Sequence, residues 1–278
     1  MRRKIKEFIS LGALKHLFYI PFIIFKIKNW WPFLLTYLGF KNGANIYKFR
    51  NGLQIKTNKG IEVTPIVETF IKKEYGKIKD DSIIIDIGAN LGAFSIFAVS
   101  TLQNTKVYAY EPVPESYDLL LENIKLNKFN EKILPFKLGV GAKKEKRKLF
   151  LPAGGSIFCS FYSDKNNEEF LEINIISLKD IFDENKIEHC DILKSDCEGA
   201  EFEIFYNTPD RYFEKIKEIR LEYHNQKGEN YNIKSLINFL EKRKFHLTYF
   251  KKFSKHHGLA WFNGRKMDLS LFLDYAII

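Results

Sequence analysis

Cysteine is scarce in this 278-residue chain: Cys159, Cys190 and Cys197 are the three present, unevenly spaced and without a paired C-x-x-C. That excludes a disulfide framework and a paired-cysteine zinc site, and it fits a reducing compartment. Long apolar runs are missing as well. Residues 2–40 are rich in Phe, Leu, Ile and Trp, yet the uncharged stretches at their centre span only residues 17–25 and 29–40. A spanning helix needs about 20 consecutive apolar residues, so a transmembrane segment is not expected. No small-x-small cleavage site follows the apolar run, which argues against a secretory signal peptide. Acid is the third scarcity, and it is local. Residues 1–60 hold twelve lysines and arginines against the single acid Glu7, a balance of +11; the whole chain is +10, so residues 61–278 sum to −1. A nucleic-acid enzyme more often carries its basic surface around the active site, and although residues 242–266 are locally basic, no nucleic-acid partner is expected.

What is present, 45% hydrophobic and 28% charged residues, excludes a disordered protein and permits one sizeable core with an extension. Residues 1–44 read as a basic, apolar helical extension that Pro21 and Pro32 break into short helices. Basic residues interleaved with Phe, Leu, Ile and the Trp30–Trp31 pair suit a helix lying in an anionic membrane interface. A helical cap packed on the core, or a dimer contact, suits them equally. The expectation is a cytoplasmic protein with peripheral membrane contact through residues 1–40, its oligomeric state left open. Residues 45–79 form a hairpin and a helix ahead of the core. The hairpin turns at Asn51–Gly52, and Thr64 and Pro65 supply an N-cap and first position for a helix that Gly76 follows.

Residues 80–278 alternate strand and helix in the rhythm of a doubly wound, mainly parallel α/β sheet of the Rossmann-like kind. The rhythm is interrupted near residues 141–178, where alternating segments and turn residues predict a β-rich insertion. No internal repeat is visible.

Chemistry is marked first at Asp86-Ile-Gly88-Ala89-Asn90-Leu91-Gly92. A strand ends in a carboxylate and passes through a glycine-bearing turn into a helix, which is how an open α/β sheet places a nucleotide-like ligand at the carboxyl ends of its strands. The spacing is G-x-N-x-G and lacks the G-x-G-x-x-G of a pyrophosphate site. The acid before the glycines would repel an anion and welcome an ammonium and a sulfonium, which points to S-adenosylmethionine and away from NAD. Glu111, twenty-five positions on at the end of the next strand, is placed to accept both hydroxyls of a ribose.

Asp86 to Gly92, the pair Glu111-Pro112, the run Leu193-Lys-Ser-Asp196-Cys-Glu198-Gly-Ala-Glu201 and the stretch Leu221-Glu222-Tyr-His224 together resemble the FkbM family of S-adenosylmethionine-dependent methyltransferases. The similarity runs from about Tyr47 to near Gly264, and K-x-D-x-E-G-A-E is its most specific element. It implies a class I methyltransferase fold and methyl transfer, usually to oxygen, with sugars and polyketides among the family's acceptors. Asp86 and residues 88–92, with Glu111 and Pro112, are then the cofactor-binding set. Cys197 departs from the small aliphatic residue usual in the family, which bears on local packing only.

The second half agrees with that reading from its own residues. Asp196 and Glu198 follow the fourth core strand, and Glu222 with His224 end the fifth, so all four sit above the cofactor crevice where the acceptor must lie. An alcohol is a poor nucleophile until its proton is removed, which makes Asp196 or His224 the general base. Glu222 and His224 share one face of a strand and aim at one ligand. A divalent metal held by Asp196, Glu222 and His224 competes with this assignment, and the sequence alone does not separate the two; no metal is assigned. The expected substrate is a small-molecule or glycan hydroxyl. A scaffold that binds the cofactor without chemistry is the alternative.

Overall fold

The computed structural model describes residues 17–41, 45–58, 63–150 and 170–264. The Gly154–Gly155 turn, Ser156, Ser160 and Cys159 of the expected insertion lie outside the described residues, as do residues 1–16.

The described residues begin with two short helices, α1 (Ile20–Lys26) and α2 (Trp30–Tyr37), and the hairpin strands β1 (Asn45–Lys48) and β2 (Gln54–Thr57). Pro21 sits in the first turn of α1, where its missing N–H has no partner to lose. Next come α3 (Thr64–Ile66), which runs into a π-helical turn (Val67–Ile71), then β3 (Ile83–Ile87), α4 (Ala93–Ser100), β4 (Lys106–Tyr110), α5 (Pro114–Leu126) and β5 (Ile133–Phe136). Strands β6 (Gly139–Gly141), β7 (Glu145–Phe150) and β8 (Phe170–Ser177) precede α6 (Leu178–Glu184), β9 (Cys190–Ser195), α7 (Glu201–Tyr206) and α8 (Asp210–Phe213). The described part ends with β10 (Ile216–His224), α9 (Ile233–Glu241), β11 (His246–Lys252) and β12 (His257–Asn263).

Seven strands form one sheet in the order β11-β12-β10-β9-β3-β4-β5. The pairs β10–β9, β9–β3, β3–β4 and β4–β5 are parallel, and β12 runs antiparallel to both β10 and β11. This is the doubly wound, mainly parallel sheet expected. Alternate residues of one strand enter different cores: Ile84, Val107 and Ile192 join a cluster with α4, α5 and the N-terminal helices, whereas Ile85, Ile87 and Leu193 join one with α6, α7 and α9. Burial on both faces explains why these strands read as continuous apolar runs and not as alternating ones.

Three local readings are corrected. Residues 132–140 read from the sequence as one apolar strand but divide at Lys137 and Leu138, with β5 on the edge of the main sheet and β6 in a separate three-stranded sheet of order β6-β8-β7. Pro135 lacks a ladder N–H, which suits the edge position. The helix expected over residues 64–75 is α-helical only through Ile66; Lys72 N–H then bonds to Val67 C=O at 2.8 Å, five residues back, so the register widens into a π turn. Val63, not Thr64, is its N-cap.

The N-terminal helices pack inward through Ile23, Ile27 and Phe33, all fully buried. The hairpin is fastened to α5 by two asparagines one turn apart. Asn123 accepts from Lys56 N–H (2.6 Å) and donates to Lys56 C=O (3.0 Å), and Asn127 does the same with Gln54 at 2.9 and 2.6 Å. Their amides imitate the next strand of a ladder and satisfy the exposed edge of β2.

Candidate active site

A cavity of about 470 Å³ opens at the carboxyl ends of β3, β4, β9 and β10. Its size lies in the range of small-molecule sites, and it sits where strand order reverses across β3.

The floor is the turn after β3. Gly88 has φ +74°, and a Cβ there would lie 1.8 Å from the Asp196 carbonyl oxygen, so only glycine fits between the two strand ends. Gly88 and Ala89 N–H both bond to Tyr110 C=O at 3.0 Å. Asn90, at φ +51°, turns its N–H to Glu111 Oε2 at 2.8 Å. Asn123 also donates to Leu91 C=O at 2.9 Å, so one buried amide ties the turn to the hairpin. Residues 88–90, Glu111, Pro112 and Val113 line the cavity.

Three predicted cofactor residues stand behind that wall, which corrects the expectation that they touch the ligand. Asp86 has no exposed surface: Oδ2 accepts from Ser95 at 2.6 Å and Oδ1 lies 3.1 Å from Lys194 Nζ. Burial opposes charge on Lys194, but Asp86 and Asp196 outweigh it and hold the ammonium above its ordinary value. Lys194 Nζ in turn donates to Gly88 C=O at 2.7 Å. The acid before the glycines therefore holds the turn through Lys194, and its charge is neutralised within the core. Leu91 is fully buried, and Gly92 packs on Leu120, where a Cβ would lie 2.6 Å from Cδ1.

Glu111 remains at the cavity, 5% exposed, with Oε1 accepting from Val113 N–H at 2.9 Å. Burial pushes its carboxyl up to about 7, against the pull of the Val113 and Asn90 amides.

The opposite wall gathers Asp196, Glu198, Glu222 and His224, together with Glu68 and Tyr75 from the π-turn segment. Tyr75 Oη donates to Asp196 Oδ2 at 3.1 Å. Burial and the charge of Asp196 raise the Tyr75 phenol well above its ordinary value, so it stays a donor. His224 Nδ1 lies 3.3 Å from Glu201 Oε1, which also accepts from Cys197 N–H at 3.0 Å. Nε2 of the same ring faces Glu198 at 3.5 Å and Glu222 at 3.9 Å. Burial disfavours the imidazolium, yet the hydrogen bond and charge of Glu201, with Glu198 and Asp196, raise His224 to about 10. Glu201 is held low because those His224 interactions overcome its burial. Burial, chiefly, lifts Glu198 to about 7 and Glu68 to about 8, and burial with the charge of Asp196 raises Glu222. Four acids thus face one imidazolium, and the cavity wall is acidic.

Asp196, Glu198 and His224 offer ligand atoms within 4.8 Å of one another, the described group that would suit a divalent ion. In this arrangement His224 is itself the cation between the carboxylates. Cys197, half-buried at the cavity wall, has its thiol raised well above its ordinary value by burial and hydrogen-bonds with Ser195 Oγ at 3.4 Å, which favours the unreactive thiol form.

No pattern in the sequence marks His257 as a site residue. It begins β12, pairs across from His224 with rings stacked 6.1 Å apart, and lines the cavity. No spacing signal exists for such a pair, because an antiparallel partner thirty-three residues away is set by the sheet. Thr64, Pro65, Thr69 and Leu149 also join the lining.

The methyltransferase FkbM domain matches residues 86–247 of this chain. Methyltransferase 1 of Beauveria bassiana (strain ARSEF 2860) is 24% identical over 191 residues, which cover 61% of this chain and 76% of that protein. Methyltransferase sdnD of Sordaria araneosa is 24% identical over 231 residues, covering 67% of this chain and 85% of that protein. Among solved structures, methyltransferase FkbM from Methylobacillus flagellatus KT aligns at TM-score 0.49 and 15% identity, over 71% of this chain and 48% of that one.

Proposed function

Because this chain belongs to the FkbM family of S-adenosylmethionine-dependent methyltransferases, we propose that it O-methylates a hydroxyl of a glycan or another small metabolite, with Asp196 as the general base. S-adenosylmethionine, when bound, supplies a sulfonium methyl group, and residues 88–90 with Glu111 and Pro112 are the ones that would hold it. The fit rests on Glu111, a buried carboxyl at the cavity surface that suits hydroxyl donors, and on the cationic character of the cofactor against an acidic wall.

The carrying observation is the different engagement of the two base candidates. His224 is ion-paired on both ring nitrogens and protonated near neutral pH, which leaves it unfit to take a proton. Asp196 Oδ2 is steadied by Tyr75, and its other oxygen is left to accept the hydroxyl proton of an acceptor. Glu222 and Glu198, raised toward their neutral forms, supply donors and acceptors for a polyol. His224 orients both.

The test is S-adenosylhomocysteine release by the purified chain on a panel of sugar and polyol hydroxyls, with amines as the counter-panel. Turnover on hydroxyls, reduced about 10²-fold or more in Asp196→Asn with cofactor affinity kept, is expected. Turnover on amines alone would replace O- by N-methylation. Cofactor binding with no turnover on either panel would select the scaffold.

A further inference from the structure

Among the described residues, eight of the fourteen exposed large hydrophobic side chains lie between residues 17 and 46. Phe18, Phe22 and Phe25 recur at the spacing of one helix face; the first two rings are 5.7 Å apart, and Phe25 is 78% exposed. Trp31, 57% exposed, stands on the next helix.

The same helices are rigidly seated on their other side. Ile23 and Ile27 are fully buried, Lys26 Nζ donates to Phe70 C=O, and Arg50 N–H bonds to Lys26 C=O at 2.9 Å. The aromatic stripe therefore cannot turn inward without breaking the core beneath it. Arg50 also donates through Nη2 to Ile24 C=O at 3.2 Å, which sets a guanidinium beside the groove formed with Pro21, Ile24 and Phe25.

Charge decides what covers this face. From residue 8 to residue 61 there is no Asp or Glu, whereas eight lysines and arginines occur. A second copy of the face would bring like charge against like. An anionic phospholipid surface matches on both counts, since apolar rings enter the acyl boundary while lysines and arginines stay at the headgroups. None of the described helices is long and apolar enough to cross a membrane, so the contact is one of lying on the surface. We infer that the exposed aromatic face of α1 and α2, with the exposed Lys28, Lys48 and Arg50 beside the end of α1, docks this protein on anionic phospholipid bilayers.

The docking face is one layer from the cavity. Phe70, in the π turn whose Glu68 and Thr69 line the site, is touched by Lys26 from α1 and by the Phe49 ring, 4.7 Å away. A bilayer beneath α1 would thus bring membrane-borne acceptors close to the cavity. That last consequence rests on the proposed methyl transfer, and the docking does not.

The full chain is sedimented with phosphatidylcholine vesicles, with and without phosphatidylglycerol, at low and high salt. Binding to the anionic vesicles, weakened by salt and about tenfold weaker in each of Phe25→Ser and Trp31→Ser, is expected. Unchanged cofactor affinity in the variants shows that the fold is kept. Absence of binding to anionic vesicles, or equal binding by wild type and variants, would overturn the inference. So would a lipid-free dimer that Phe25→Ser dissociates, which would make the face a subunit contact. Because the readout is sedimentation, failure here is separate from failure of the catalytic reading.

Discussion

At Gly88 two strand ends meet with no room for a side chain, and the positive φ adds backbone strain for any other residue. Gly88→Ala is expected to destabilise the protein by about 3 kcal/mol or more, measured by urea unfolding, and to abolish cofactor binding. Lys194 carries a different burden. It neutralises an Asp86 that has no access to water, so Lys194→Met should cost about 3–5 kcal/mol by leaving a buried carboxylate unpaired. Combining it with Asp86→Asn should restore part of that loss, and a double-mutant cycle measures how much. Cys197→Ala, by contrast, should leave turnover within about threefold of wild type, since methyl transfer from a sulfonium needs no thiol nucleophile and the half-buried side chain only lines the cavity beside Ser195.

Elements matter here chiefly through how they are joined. Asn123 on α5 bonds to both backbone groups of Lys56 and to Leu91 C=O, so it links the hairpin, the helix and the glycine turn. Asn123→Ala leaves three buried or half-buried backbone groups with lost partners. A loss of about 2–3 kcal/mol and weaker cofactor binding are expected, whereas Asn127→Ala, which reaches only Gln54 and its own helix, should lower stability with affinity kept. Calorimetric titration with S-adenosylmethionine separates the two. The π turn has a comparable role: widening the register after Ile66 sets Glu68 and Thr69 on the cavity wall together. Hydrophobic patterning over residues 64–75 predicts a helix and gives no hint of that wider turn, because the i, i+4 spacing of Ile66, Val67, Phe70 and Ile71 suits a regular helix and a single wide turn alike.

Across the whole molecule, the raised groups of the acidic wall make stability fall as pH rises past neutrality. His224 is held above its free value of 6.5, at about 10, so its ion pairs stabilise fully below pH 6.5 and are lost as pH rises through 10. Glu198 and Glu68 are raised to about 7 and 8, so the folded state prefers their neutral forms; that preference is complete below the ordinary carboxyl range and is lost as pH rises through those values. All three shifts favour the fold at lower pH. The thermal midpoint is expected to fall between pH 7 and 10, and Glu68→Gln should flatten the decline; an unchanged midpoint over that interval would contradict the assignment. A cationic cofactor should oppose the decline, because it favours the ionised acids at the wall.

Residues 81–92 and 106–111 reveal their arrangement directly, since a strand buried on both faces, a glycine turn and a strand-end acid are local patterns with local causes. The same holds for α5, β10, α9 and the two terminal strands, whose apolar periodicity decides their type. What a carboxylate does is not local. Asp86 and Glu111 lie at the same end of neighbouring strands and on the same face, yet one is sealed beside Lys194 and the other opens on the cavity: Asp86 is still inside the sheet, opposite Ala109 and Lys194, whereas Glu111 lies beyond the last residue of β4. His257 and His224 meet because β12 returns antiparallel to β10, and Glu68 reaches the wall because the π turn packs over α4. The sequence by itself determined the sheet, the family and the glycine turn, through short-range spacing. Only the tertiary structure decided which acids face the ligand, because that depends on long-range packing and on the charges brought together in a space without water.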